Sequence, residues 1–410
     1  MTEVNPSIEF VSGFRVAGVH SGLKKNDALD MTLIFSEAPC VAAGVFTTNY
    51  MKAAPVLFDM EQLQGNKDHI RAVTINTKCA NACTGDVGLA NAREMARLTA
   101  EKIGCAVDEV LVMSTGVIGS QLPMDKITHG IELASASLGN NWSDAAAGIM
   151  TTDTRPKMAS VKVTTPDGKT YNIAGIAKGA GMIAPNMATL LSVVVTDATL
   201  SVDTAKGVLQ SASETTFNRV VVDGDMSTND TLLLLANGLS GVTLQSPDDF
   251  TAFHEALAAV CRKLAQDIVR DGEGVTKFIT LTVKGAPSPE AAHQIANTIA
   301  TSPLVKTAFF GNDANWGRIV AAAGRAGIPI VPEHVKLWIA PGETEDFNLG
   351  SLLLFADGIP SGYGEEQASA IFKEASASIL LDLGAGNGSA TVWTCDLSHD
   401  YVSINGDYRS

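Results

Sequence analysis

Thr189 stands in the stretch KGAGMIAPNMATLLSVVVT (178–196), between Ala188 and a run of apolar β-formers. A Thr hydroxyl is a weak nucleophile unless a base is near. One arrangement needs no histidine: an N-terminal Thr uses its own α-amine as the base. That amine has a pKa of about 7.7–8.0 in reference peptides, so a useful fraction is neutral at physiological pH. Freeing it inside a chain takes a cut before the Thr. The hydroxyl can make that cut by attacking the preceding carbonyl, giving an ester that water hydrolyses. The attacked residue should be small, as Ala188 is, and the backbone tightly held, which Pro185 and the glycines can supply. On spacing alone an ordinary strand-start Thr is favoured, since Thr is common in strands.

Thr115-Gly116, in MSTGVIG, offers a complementary group. A glycine after a strand lets a backbone N–H approach a ligand closely. With the Thr hydroxyl it can form an oxyanion hole for a tetrahedral intermediate. A plain strand-to-helix turn fits as well. A third motif, LDLGAGNG (381–388), matches the glycine loop of nucleotide- or S-adenosylmethionine-binding sheets. Such a loop needs a helix after it. Here SATVWTCDLS follows and alternates like a strand, so a glycine-rich hairpin is expected and no cofactor.

The elements that position these groups alternate between strand and helix. Residues 87–103 have near-helical apolar spacing and end at Gly104. VLVMS forms a short buried strand running into Thr115. ASVKVTT, PDGK and TYNIAGIA read as a hairpin leading into Lys178. A helix over 247–270 is capped by Ser246, with Pro247 in its first turn and Asp249 completing a capping box. Phe250, Phe253, Leu257, Val260, Leu264 and Ile268 form its apolar stripe. Glu273 then falls in the loop after Gly272. Further strands are expected at 276–284, 335–340, 351–355 and 378–404. Hairpin signals outnumber βαβ signals, so the expected fold is mixed α/β with substantial antiparallel sheet.

The 410 residues are more than one core usually serves. A net charge of −15, without a long basic block, disfavours nucleic acid and anionic membrane as partners. MTEVNPSIEF has neither the basic nor the apolar region of a signal peptide. The six scattered cysteines are expected to be reduced thiols in a cytoplasmic protein. The seven histidines are isolated, and no metal site is expected.

KGAGMIAPNMATLL (178–191) closely resembles the signature of the ornithine acetyltransferases, which also act as glutamate N-acetyltransferases in arginine biosynthesis. AAGVFTTNYMKAAPV (42–56), NACTG (81–85), VMSTGVIG (112–119), MTTDTRPK (150–157) and VVVDGDMSTNDT (220–231) agree in order. So do VRDGEGVTK (269–277), SPLVKTAFFGNDANWGRIVAAAG (302–324) and YVSINGDYRS (401–410). The resemblance spans nearly the whole chain.

It implies that Thr189 is the nucleophile and Ala188–Thr189 the self-cleavage point. The products would be an α chain, 1–188, and a β chain, 189–410. It makes Thr115 and Gly116 the oxyanion pair, and Thr152, Lys178, Thr189, Glu273, Asn405 and Ser410 the substrate contacts. The implied fold is an N-terminal-nucleophile-like layered sandwich of mixed, largely antiparallel sheets, with the two chains intertwined and paired into an α2β2 heterotetramer. The implied reaction passes acetyl from N-acetylornithine to glutamate by a ping-pong cycle, with acetyl-CoA as a possible second donor. The residue types agree with these roles: Lys178 suits a substrate carboxylate, and Glu273 suits an ammonium.

Departures from the family pattern are NTKCANACTG, usually richer in Ser, Gly and Asn, Met226 and Ser410 in place of Thr, and Ala385 in place of Arg. None removes a proposed catalytic group. Two competing readings are an amidohydrolase or aminopeptidase of related fold, passing the acyl group to water, and a methyltransferase built on 381–388.

Overall fold

The computed structural model describes residues 3–184, 190–345, 347 and 350–407. Ala188, Thr189 and Ser410 lie outside the described residues, as does Pro185. The chain divides into two units. The first takes Met1–Met182, Asn186–Asn218 and Asp225–Ile268; the second takes Ile183–Pro185, Arg219–Gly224 and Val269–Ser410.

The first unit runs β1 (Phe14–Val19), β2 (Met31–Phe46), α1 (Ala54–Gly65), β3 (Ile70–Asn76), α2 (Gly85–Ile103), β4 (Val110–Ser114), α3 (Met124–Ala136) and α4 (Trp142–Gly148). It continues through β5 (Lys157–Thr164), β6 (Thr170–Lys178), β7 (Leu191–Thr196), α5 (Val202–Thr215), β8 (Thr231–Ala236) and α6 (Pro247–Arg270), whose last two residues belong to the second unit. The sheet order is β4-β3-β2-β8-β7-β6-β5, with β1 also on β2. β2 is long because it serves two neighbours: its first half pairs β3, and after a register shift its second half pairs β8.

β7 and β8 are buried along their whole length. That explains the apolar runs VVV and LLLL at their centres, because both faces are covered. Val193 and Val195 face a core shared with α4, through Trp142, Ala145 and Ala146. α6 lies over β6: Tyr171 stacks on Phe253, centroids 5.8 Å apart. Phe253, Leu257, Val260, Leu264 and Ile268 are fully buried, each contributing about 1.5–3 kcal/mol. The expected cap is present, with Ser246 Oγ accepting from the Asp249 N–H and Asp249 Oδ2 accepting from the Ser246 N–H. Phe250 departs from the expected stripe: it is exposed, since at the first turn the helix has not yet reached the sheet.

The second unit contains β9 (Phe278–Ala286), α7 (Pro289–Ala300), α8 (Pro303–Phe310), α9 (Trp316–Gly324), β10 (Lys336–Pro341), β11 (Leu352–Ala356), β12 (Ile359–Pro360), α10 (Glu365–Lys373), β13 (Ser376–Asp382), β14 (Gly388–Cys395) and α11 (His399–Gly406). Its sheet order is β12-β11-β10-β13-β9-β14. Two expectations are corrected here. The stretch 378–404 is not all strand, because His399–Gly406 is a helix. LDLGAGNG does not turn a hairpin either: β13 and β14 both pair with β9, which lies between them. The loop passes over the end of β9, and a Cβ on Gly388 would sit 2.2 Å from the backbone of Ser288. Close backbone approach therefore accounts for the glycines, and a strand follows where a cofactor loop needs a helix.

Among the described residues nine of the twelve strand pairings are antiparallel. The mixed, layered, largely antiparallel α/β fold expected from the sequence is what the chain adopts. No helix among the described residues is long and apolar enough to cross a membrane.

Candidate active site

β4 delivers Thr115 to the C-terminal end of the first sheet. The Thr115 N–H donates to Asn76 O (3.0 Å) and the Val117 N–H to Lys78 O (3.1 Å), so residues 76–80 and 115–117 form one double loop. Gly116 has φ 133°. A Cβ there would fall 2.2 Å from the Lys78 carbonyl carbon, so only glycine fits. In the same segment Lys78, Asn81 and Cys83 all take left-handed backbone angles (φ 66°, 50° and 56°). This is the run NTKCANACTG. Residues with a Cβ here hold a conformation that costs them energy, as happens at functional loops.

β6 delivers Lys178, which faces Leu191 across the ladder to β7. Its ammonium donates to Thr115 Oγ1 at 3.4 Å. Because Lys178 donates to the oxygen, the Thr115 hydroxyl keeps its own proton to donate elsewhere. Behind Lys178 stands Asp153, buried with Lys157. The Lys157 ammonium donates to Asp153 Oδ1 (2.6 Å), as does the Gly179 N–H (2.7 Å). The Thr151 N–H donates to Oδ2 (2.9 Å). Burial opposes the charge on Asp153, but Lys178, Lys157 and these donors outweigh it and hold the carboxyl at about 2. Asp153 therefore anchors both the loop carrying Thr152, which is half-buried, and the backbone just after Lys178.

Residues 227–231 close this side of the unit. Asn229 Nδ2 donates to Ala80 O (2.7 Å) and Ser114 O (2.8 Å), one residue before Thr115. Asp230 Oδ1 accepts from the Leu190 N–H (3.0 Å). Burial pushes the Asp230 carboxyl well above the usual carboxylate range, against the pull of the Leu190 N–H and of Lys178.

In the second unit Glu273 follows α6 in a loop, as expected, yet it is buried. Asn405, on α11, donates to Glu273 Oε2 at 2.7 Å. The loop is tied to the start of α11, where Ser398 Oγ donates to Gly274 O (2.6 Å). The two substrate-contacting positions predicted there are thus brought together.

Thr115, Gly116 and Lys178 are likewise assembled in the first unit. Thr152 is one residue from the carboxylate that anchors Lys178. Asp153, Lys157, Asn229 and Asp230 escaped the sequence reading, although each lies inside a run singled out there (MTTDTRPK and VVVDGDMSTNDT).

Residues 15–410 match the family described as the ArgJ family. The arginine biosynthesis bifunctional protein ArgJ of Thermotoga neapolitana is 47% identical over 400 residues, covering 97% of this chain and 99% of that protein. Its counterpart in Geobacter sulfurreducens is 48% identical over 403 residues, covering 98% and 100%. A crystal structure of the arginine biosynthesis bifunctional protein argJ from Bacillus halodurans is 40% identical over 51% of this chain and 95% of that one, with a TM-score of 0.47. With near-complete coverage at this identity, the chain belongs to the ArgJ family.

Proposed function

We propose that this chain is the glutamate N-acetyltransferase of arginine biosynthesis, an ornithine acetyltransferase that works through an acetylated Thr189. The observation that carries the reading is the meeting of Thr115 and Lys178, 3.4 Å apart, beside the start of the strand that Thr189 precedes. Thr189 first attacks the Ala188 carbonyl through its hydroxyl, and water hydrolyses the resulting ester. This leaves an α chain of 188 residues and a β chain of 222 whose first group is the catalytic α-amine.

Thr189 Oγ then attacks the acetyl carbonyl of N-acetylornithine while the α-amine takes the hydroxyl proton. The Thr115 hydroxyl and the Gly116 N–H donate to the oxyanion, and Lys178, donating to Thr115 Oγ1, strengthens that hydroxyl as a donor. The intermediate collapses. The C–N bond breaks, the departing ornithine amine takes the proton back, and an acetyl ester remains on Thr189. The amine of glutamate attacks this ester by the same steps in reverse, releasing N-acetylglutamate and the free hydroxyl. Thr152 and Lys178 hold the substrate's polar groups. Glu273, with Asn405 and Ser410, takes the substrate ammonium.

The relatives' names carry the word bifunctional. We assign the second activity to acetyl-CoA as an alternative donor to glutamate. The reading includes an α2β2 assembly and a cytoplasmic setting, and the six free cysteines fit a reducing compartment.

The test is a denaturing gel and a transfer assay on wild type beside Thr189→Ala. Two bands and acetyl transfer in the wild type, with one band and no transfer in the variant, are expected. A wild type that stays a single chain with full transferase activity sinks the mechanism. Acetate release without acetylglutamate would favour the amidohydrolase reading, and acetyl-CoA as sole donor tests the second activity.

A further inference from the structure

We propose that Asp230 is a positioning residue for the nucleophile: its carboxyl holds the Leu190 amide, and so the peptide that carries Thr189, in register with the oxyanion loop. The inference rests on the reading of Thr189 as the nucleophile. Both backbone groups of Leu190 are taken by the Asp230–Thr231 pair, since the Leu190 N–H donates to Asp230 Oδ1 (3.0 Å) and the Thr231 N–H to Leu190 O (3.0 Å). A peptide C–N bond is about 1.33 Å long, so a group that holds the Leu190 nitrogen acts one covalent bond from residue 189.

The adjoining residue grips the other half of the machinery. Asn229 donates to Ser114 O and Ala80 O, on either side of the Thr115-Gly116 double loop. Asn229 and Asp230 are neighbours in sequence, so the Leu190 amide and the oxyanion loop are referred to a single dipeptide. The dipeptide itself cannot drift. The Thr47 N–H donates to Asp230 O (2.9 Å), the Ala53 N–H to Thr228 O (2.9 Å), and Thr47 Oγ1 to Ser227 O (2.8 Å).

A second feature distinguishes Asp230 from a residue that merely fills space. Oδ2 is buried and accepts no hydrogen bond from any described residue. A buried carboxylate oxygen without a partner is costly when charged and far less so when it carries a proton. As a neutral acid, Asp230 keeps an acceptor for the Leu190 amide without placing a negative charge beside the α-amine freed one residue upstream. Such a charge would keep that amine protonated and useless as a base.

The experiment compares Asp230→Asn, Asp230→Ala and Thr189→Ala in the full chain, reading the rate of self-cleavage, kcat and KM for N-acetylornithine, and the thermal midpoint. Asp230→Asn retains the acceptor and the neutrality, and should cleave and transfer within about threefold of wild type with the same pH profile. Asp230→Ala should fold but lose about 10–100-fold in cleavage rate and kcat with KM little changed, as expected when reacting groups are misplaced by an ångström. Asp230→Ala at wild-type rates overturns the proposal. So does Asp230→Asn impaired by more than about tenfold, and that outcome is decisive even if the alanine variant does not fold. Thr189→Ala with full transfer overturns the nucleophile reading instead. Thr189→Ala inactive beside a fully active Asp230→Ala overturns the positioning role alone.

Discussion

The loops at 151–157 and 227–231 each bury an aspartate within the electrostatic reach of Lys178, and the two carboxyls move in opposite directions. Asp153 is held at about 2, whereas Asp230 is pushed well above the usual range. The difference lies in the near neighbours. Asp153 has the Lys157 ammonium at 2.6 Å and two backbone N–H donors shared over both oxygens. Asp230 has one N–H on one oxygen and the Thr47 hydroxyl nearby, with no ammonium in contact among the described residues. Burial costs both groups their water, and only the first gets back enough favourable contact to stay charged. One loop therefore supplies a negative charge that anchors lysines, and the other a carboxyl biased towards its neutral form that accepts from the Leu190 amide.

The largest expected effect separates the two loops outright. Asp153→Asn leaves the Lys157 ammonium buried without its counter-ion, and should cost about 3–5 kcal/mol in urea unfolding. Asp230→Asn, which exchanges a neutral acid for a neutral amide, should change stability by less than about 1 kcal/mol. Equal losses would mean that charge does not distinguish them.

The pH dependence sharpens the same contrast with a smaller effect. The folded pKa of Asp153 is depressed from 3.8 to about 2, so its contribution is fully present above pH 4 and lost as pH falls towards 2. By linkage that is about 2 kcal/mol. Lys24, Lys157 and Lys178 are the cationic groups that face it. Asp230, with its pKa raised, contributes most below its unfolded value and loses that contribution as pH rises. Wild type should therefore converge on Asp153→Asn on acidification, and fall behind Asp230→Asn as the solution becomes alkaline. Unfolding midpoints between pH 2 and 9 read both trends.

That these two carboxyls differ could not be read from the sequence. An acid in a polar run is normally exposed, and DTRPK and STNDT carry nothing to say otherwise. Only the sheet order, which brings the ends of β2, β7 and β8 together, buries Asp230. Local signals fared better. Ser246 and Asp249 form their capping box, Gly104 ends α2, and the Pro166-Asp167-Gly168 turn joins β5 to β6. Failures came where pairing is non-local or periodicity is weak. Nothing in 381–388 reveals that β9 intervenes between β13 and β14, and α11 has no apolar stripe to mark it as a helix. The candidate site residues Thr115, Lys178, Glu273 and Asn405 are named by motifs alone, because chemistry restricts residue type even where pairing is hidden.

Glu273 extends the comparison with the smallest effect. It is a third buried carboxyl, and among the described residues its only hydrogen-bonding partner is the neutral amide of Asn405, 2.7 Å away. No lysine or arginine among the described residues forms an ion pair with it. If its charge serves the fold, removing the charge should alter stability. If it serves a substrate ammonium, stability should not notice. Glu273→Gln tests this cleanly, because the glutamine side-chain oxygen still accepts from Asn405 Nδ2. The expected outcome is a change in stability within about 0.5 kcal/mol. The KM for the amino-acid substrate should rise about tenfold, the ~1.4 kcal/mol expected for one charge-assisted contact. A stability loss with KM unchanged would place Glu273 beside Asp153, as a carboxyl kept for the fold.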